Sequence, residues 1–139
     1  MQLGRIKTAN GPAVVKIENN LASILDLHSV GLTSLQDLLS SNSLERLANT
    51  LPTIGKPVSV ESFAWLPPID QQEVWAAGVT YKRSQTARME ESEAAASCYD
   101  RVYTAARPEI FFKATPNRCE GHGGKLRIRS DATWNVPEP

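Results

Sequence analysis

Prolines divide this chain. Between Leu51 and Ile69 the sequence runs Pro52, Gly55-Lys56-Pro57 and Pro67-Pro68. Each ring fixes φ near −65°, removes an amide donor and biases the preceding residue away from helix. No helix can run through such a stretch, so it reads as an extended, turn-rich connector with Val58 and Val60 as a short strand inside it. The pattern on its N-terminal side changes once. IKTANGPAVVKI carries a turn signal at Asn10-Gly11-Pro12, and Glu18-Asn19-Asn20 is a second one before LASILDL. Two or three short strands in antiparallel hairpins are the natural reading of residues 1–27. Leu32, Leu35, Leu38 and Leu39 then recur at helical spacing, as do Leu44, Leu47 and Leu51. They predict helices over 33–40 and 43–51, with Thr33 and Ser43 as N-caps and Ser40-Ser41-Asn42-Ser43 as the break.

Beyond Pro68 the character changes again. EVWAAGV (73–79) reads as a buried strand, and a polar, Ala- and Glu-rich helix follows over about 82–105. PEIFFKA (108–114) is a second strand, and KLRIR (125–129) alternates like a third. The expected organisation is a small N-terminal α/β domain, residues 1–65, followed by residues 66–139 as the beginning of something larger, with the whole of class α+β.

Composition narrows the function. Lys plus Arg and Asp plus Glu balance at 15 each, which gives no electrostatic reason to expect nucleic acid or anionic lipid as a partner. No apolar run approaches the roughly 20 residues of a spanning helix, and MQLGRIKTANG has no apolar secretory region. Cys98 and Cys119 lack both CxxC spacing and histidine partners, so they read as reduced thiols. The class implied is a cytoplasmic enzyme or binding protein. With two histidines, His28 and His122, and no GxSxG, the sequence gives no support to a Ser-His-Asp hydrolase. His122, between glycines, reads as a turn residue, and His28 as structural.

Four features can carry chemistry. Gly78 ends a strand, where a glycine lets backbone approach a ligand within reach of the Thr80 and Tyr81 hydroxyls. The alternative is a plain strand end, with Tyr81 packed on the next helix and Thr80 capping it. If residues from 82 onward are helical, Ser84, Arg88 and Glu91 share one face. That face is either a solvated stripe or one whose Arg88 binds a carboxylate. Lys113, at a strand's end after two aromatics, buries its stem and offers an ammonium to an anionic substrate. Finally, Asn135-Val136-Pro137-Glu138-Pro139 looks like the start of a strand. Carboxylates two residues apart on a strand face the same side, an arrangement that clamps a divalent ion. Glu138 is one half of such a pair.

Taken together, LPPI, GVTY, RPEIFFKA and the terminal VPEP resemble the start of the catalytic domain of the fumarylacetoacetate hydrolase superfamily. The similarity runs from about Leu66 to the end and is greatest to the branch of 2-keto-3-deoxy-sugar-acid dehydratases and related sugar-acid catabolic proteins. It implies a mixed β-roll that binds Mg²⁺, Mn²⁺ or Ca²⁺ through a Glu-x-Glu pair and a later Asp, with Glu138 as the first glutamate. By this reading the sequence is the front part of an enzyme, cut inside its metal motif. Gly78 and Tyr81 match a Gly-x-Asn-Tyr segment at the active-site rim, with Thr80 in place of Asn, and Lys113 matches the lysine of Phe-x-Lys.

Hydrolytic members place a histidine three residues after the Tyr and often a glutamate three further on. Here those positions are Ser84 and Ala87. The resemblance thus implies a lyase acting on a small 2-oxo acid, a homodimer or homotetramer at full length, with Ser84, Glu91 and Lys113 as catalytic candidates. Gly78, Thr80, Tyr81 and Arg88 are the substrate-binding candidates. An acylpyruvate or diketo-acid hydrolase or isomerase of the same superfamily, and a non-catalytic fragment, are the alternatives.

Overall fold

A computed structural model describes residues 1–78 and 101–134. Strands β1 (Gln2–Thr8), β2 (Gly11–Glu18), β3 (Leu21–Leu25), β4 (Thr53–Ser59) and β5 (Trp65–Leu66) form one sheet in the order β4-β3-β2-β1-β5. Every pairing in it is antiparallel. The described chain is therefore α+β, and its N-terminal sheet lacks the parallel crossovers that an α/β domain implies.

Both expected hairpins form, the first with its turn at Ala9-Asn10 and with Gly11-Pro12, read from the sequence as part of the turn, already in β2. Thr8 pairs with Gly11 around Ala9-Asn10, and the Thr8 hydroxyl donates to the Gly11 carbonyl at 2.7 Å. Asn19 and Asn20 take φ of 50° and 61°, the left-handed pair that a two-residue hairpin needs and that asparagine tolerates best among residues with a side chain. Pro12 is accommodated in β2 because β3 pairs only from Val15 onward.

Alternation decides the core. Val14 and Val15 are neighbours in β2 and so point to opposite faces. Val14 joins Leu25, Leu27, Leu35, Leu38 and Leu51 on one side, while Val15 joins Ile6 and Ala22 on the other. The first cluster is the seat of the helices α1 (Leu35–Leu39) and α2 (Leu44–Thr50). The leucine spacing named these elements correctly but not their ends. The N-cap of α1 is Ser34 rather than Thr33. Its hydroxyl accepts from Asp37 N at 3.0 Å, and Asp37 in return accepts from Ser34 N at 3.0 Å, closing a capping box. Ser43 does cap α2 in position, without a side-chain bond. Leu39, expected in the apolar stripe, is 47% exposed.

The proline connector yields β4, an exposed edge strand. Its Lys56 and Pro57 discourage further pairing along that edge. Val60 falls outside the strand, in a short 3₁₀ turn whose carbonyl accepts from the Trp65 indole at 3.1 Å. Trp65 lies so close to β1 that a Cβ on Gly4 would come within 2.8 Å of its ring. Gly121 likewise lets residues after Pro116 cross Trp65, since a Cβ there would stand 2.0 Å from the Trp65 carbonyl oxygen. KLRIR, expected as a strand, has no regular secondary structure. Alternation makes a sheet face only where a neighbouring strand supplies hydrogen bonds, and none of the described residues does so here.

By contacts the chain divides into two units, Met1–Gln71 with residues from Pro116 onward, and Gln72–Thr115. In the second, β6 (Val74–Ala77) pairs antiparallel with β7 (Ile110–Ala114). The expected buried strand over 73–79 is shorter and half-covered, with Trp75 57% exposed. Of the helix expected over 82–105, residues 101–104 are helical and 82–100 lie outside the described residues. No described helix is long and apolar enough to cross a membrane.

Candidate active site

Two of the candidate residues fall within the described chain. Gly78 follows β6 directly, and its N–H donates to the Glu109 carbonyl at 2.8 Å, extending the ladder by one step. Its hydrogen side chain has a packing reason. A Cβ there would approach Val102 Cγ1 to 3.2 Å, so the glycine lets strand and helix come close within this unit.

Lys113 occupies a different kind of position. Val74 pairs with Ala114 and Trp75 with Phe112, so one residue of β7 has no partner on β6, and that residue is Lys113. It is the extra residue of a β-bulge, exposed, beside an edge-on contact of Trp75 and Phe112 with ring centroids 6.0 Å apart. A bulge bends its strand and re-aims one side chain out of the regular alternation. The sequence placed Lys113 at a strand's end but carried no sign of the bulge.

These two are not brought together. β6 and β7 run in opposite directions, so Gly78 and Lys113 lie toward opposite ends of the ladder, ~12 Å apart along the strand. Thr80, Tyr81, Ser84, Arg88 and Glu91 lie outside the described residues, as does Glu138. Among the described residues no three His, Cys, Asp or Glu side chains gather as a metal site.

The constellation that sequence reading missed is in the first unit. Arg5 Nε meets Asp70 Oδ1 at 2.9 Å, with only 12% and 13% of the two side chains exposed. Its Nη1 donates to the Pro67 carbonyl at 3.0 Å and to the Ile69 carbonyl. Asp70 Oδ2 accepts from Gln36 N, in the first turn of α1, at 2.7 Å. The signals were an arginine in the otherwise apolar strand core Gly4-Arg5-Ile6 and an aspartate closing Pro-Pro-Ile-Asp; nothing local connects them. Two surface cavities of about 330 and 460 Å³ share Arg5, Pro12 and Asp70 in their walls, and neither is lined by Gly78 or Lys113.

Comparison with known proteins supplies the rest. Over 75 residues the chain is 51% identical to "2-dehydro-3-deoxy-D-arabinonate dehydratase" of Saccharolobus solfataricus, covering 52% of this chain and 25% of that protein. Over 117 residues it is 42% identical to "Probable 2-keto-3-deoxyxylonate dehydratase" of Haloferax volcanii, covering 82% of this chain and 40% of that protein. The chain thus spans well under half the length of these curated relatives. No family model and no solved structure matches it. By sequence the chain is a relative of the 2-keto-3-deoxy-sugar-acid dehydratases, the branch of the fumarylacetoacetate hydrolase superfamily that its motifs resemble.

Proposed function

We propose that this chain is part of a divalent-cation-dependent lyase that dehydrates 2-keto-3-deoxy sugar acids. The observation that carries the reading is the 51% identity over 75 residues with a dehydratase of that substrate class. Ser84 and Ala87, where hydrolytic members of the superfamily place a water-activating pair, point the same way. We assign the region from Leu66 onward to a mixed β-roll domain and the complete enzyme to a homodimer or homotetramer. Because the chain spans 25% and 40% of these relatives, we expect it to lack turnover alone.

The chemistry sets what the side chains must do. A proton leaves the carbon beside the keto group, and the electron pair of that C–H bond forms an enolate. The hydroxyl on the next carbon then departs with a second proton as water, so atoms and charge balance at the loss of one water molecule. A base and an acid effective near neutral pH are required. We assign proton removal to Glu91, proton delivery to the departing hydroxyl to the exposed ammonium of Lys113, and a hydrogen bond to the substrate to Ser84. Gly78, Thr80, Tyr81 and Arg88 then hold the carboxylate and hydroxyls. Mg²⁺, Mn²⁺ or Ca²⁺, with Glu138 as a ligand, supplies Lewis acidity in this reading. The described residues alone do not make that site.

The test is a chimera in which this chain replaces its aligned segment of the Haloferax relative, assayed by initial rates on a 2-keto-3-deoxy pentonate and on an acylpyruvate. Dehydration should dominate, and Lys113→Met should lower it at least about 100-fold, the range of a lost proton-transfer group. A folded chimera that hydrolyses the acylpyruvate and leaves the sugar acid untouched would overturn the reading in favour of a hydrolase.

A further inference from the structure

We propose that Arg5 and Asp70 are positioning residues, forming a latch that fixes the segment leading into β6. The segment is Pro67-Pro68-Ile69-Asp70. Two prolines have no amide to offer a strand, so this stretch cannot hold itself by sheet pairing. Its carbonyls still need donors. Arg5 supplies them, bonding the Pro67 and Ile69 carbonyls from Nη1 while Nε meets the Asp70 carboxylate at 2.9 Å. One planar guanidinium therefore takes the place of a missing partner strand, a task that the single ammonium of lysine cannot reproduce.

The other oxygen of Asp70 accepts from Gln36 N at 2.7 Å. A single carboxylate thus joins β1, the first turn of α1 and the link. Val74, the first residue of β6, lies four residues beyond Asp70, at most ~14 Å of extended chain. β6 leads directly into Gly78. Gln71, Gln72 and Glu73 are the residues between the anchored Asp70 and β6. The catalytic consequence of the latch rests on the dehydratase reading; the latch itself does not.

Two arms keep these apart. In the first, amide hydrogen exchange is followed in the 139-residue chain as wild type, Asp70→Asn and Arg5→Lys. The latch predicts exchange at least tenfold faster at Gln36 and from Ile69 to Gly78 in both variants, with β2 and β3 within twofold of wild type. Uniform acceleration throughout the chain would reduce the pair to general stability, and unchanged exchange from Ile69 to Gly78 would remove the latch altogether. In the second arm the same variants are made in the chimera. There kcat should fall about tenfold with KM within twofold; an unchanged kcat beside a loosened segment would overturn the positioning role. An inactive wild-type chimera would count against the dehydratase reading, and the exchange arm would still decide the latch.

Discussion

Gly121, Asp37 and Lys113 show three ways in which a single residue acts here. At Gly121 the reason is space. With its notional Cβ 2.0 Å from the Trp65 carbonyl oxygen, Gly121→Ala forces backbone to move. The expected cost is about 1–3 kcal/mol, as for overpacking elsewhere, read as a lower urea midpoint at unchanged slope.

At Asp37 the reason is charge. The Thr33 N–H, the Ser34 hydroxyl partner and the Thr33 hydroxyl hold its carboxyl below the usual value of 3.8. A carboxyl depressed in the folded state adds stability above its unfolded pKa and loses it as pH falls through the folded one. Wild type should therefore exceed Asp37→Asn in urea midpoint by a constant margin between about pH 5 and 7. That margin should close below about pH 4. A margin that is flat through the acid range would contradict this cause.

Lys113 was legible as a candidate because the sequence sets a lysine after two aromatics. Its bulge was not legible, because a bulge is a property of the pairing between β6 and β7, and no pattern within FFKA announces which residue will be left over.

At the scale of elements, what could be read depended on how local the cause was. The hairpin turns at Ala9-Asn10 and Asn19-Asn20 are set by two or three residues, and both were read correctly in outline. The turn at Asn20 makes its own prediction. Asn20→Gly should raise the melting temperature slightly, because glycine adopts positive φ without a Cβ penalty, whereas Asn20→Val should cost roughly 1–2 kcal/mol. Equal stability of the two variants would show that the turn does not depend on that conformation. The N-cap of α1 was misplaced by one residue because Thr33 and Ser34 both have suitable hydroxyls, and only the geometry decides which of them meets Asp37 N. KLRIR and the latch failed for the opposite reason: each depends on residues far away in sequence. Strand formation at KLRIR needs a partner, and Arg5 reaches an aspartate more than sixty positions on.

On the scale of the whole molecule, two levels of inference meet. The antiparallel N-terminal sheet, with its apolar clusters on both faces, follows from alternation and turn chemistry. The functional reading comes from motifs between Leu66 and Pro139 and from relatives that dehydrate 2-keto-3-deoxy sugar acids by name. Most of the assigned site was named from sequence, while only Gly78 and Lys113 have a described geometry.

The central claim is that the chemistry proceeds by proton loss beside the keto group followed by departure of the neighbouring hydroxyl. It is tested most directly by following the chimera's reaction on a 2-keto-3-deoxy pentonate by NMR in deuterated water. The account predicts a product lighter by one water whose carbon beside the keto group has given up one of its original hydrogens to solvent, and no cleavage of the carbon chain. Pyruvate and a short aldehyde as products, or a dehydrated product that keeps both original hydrogens at that carbon, would contradict it.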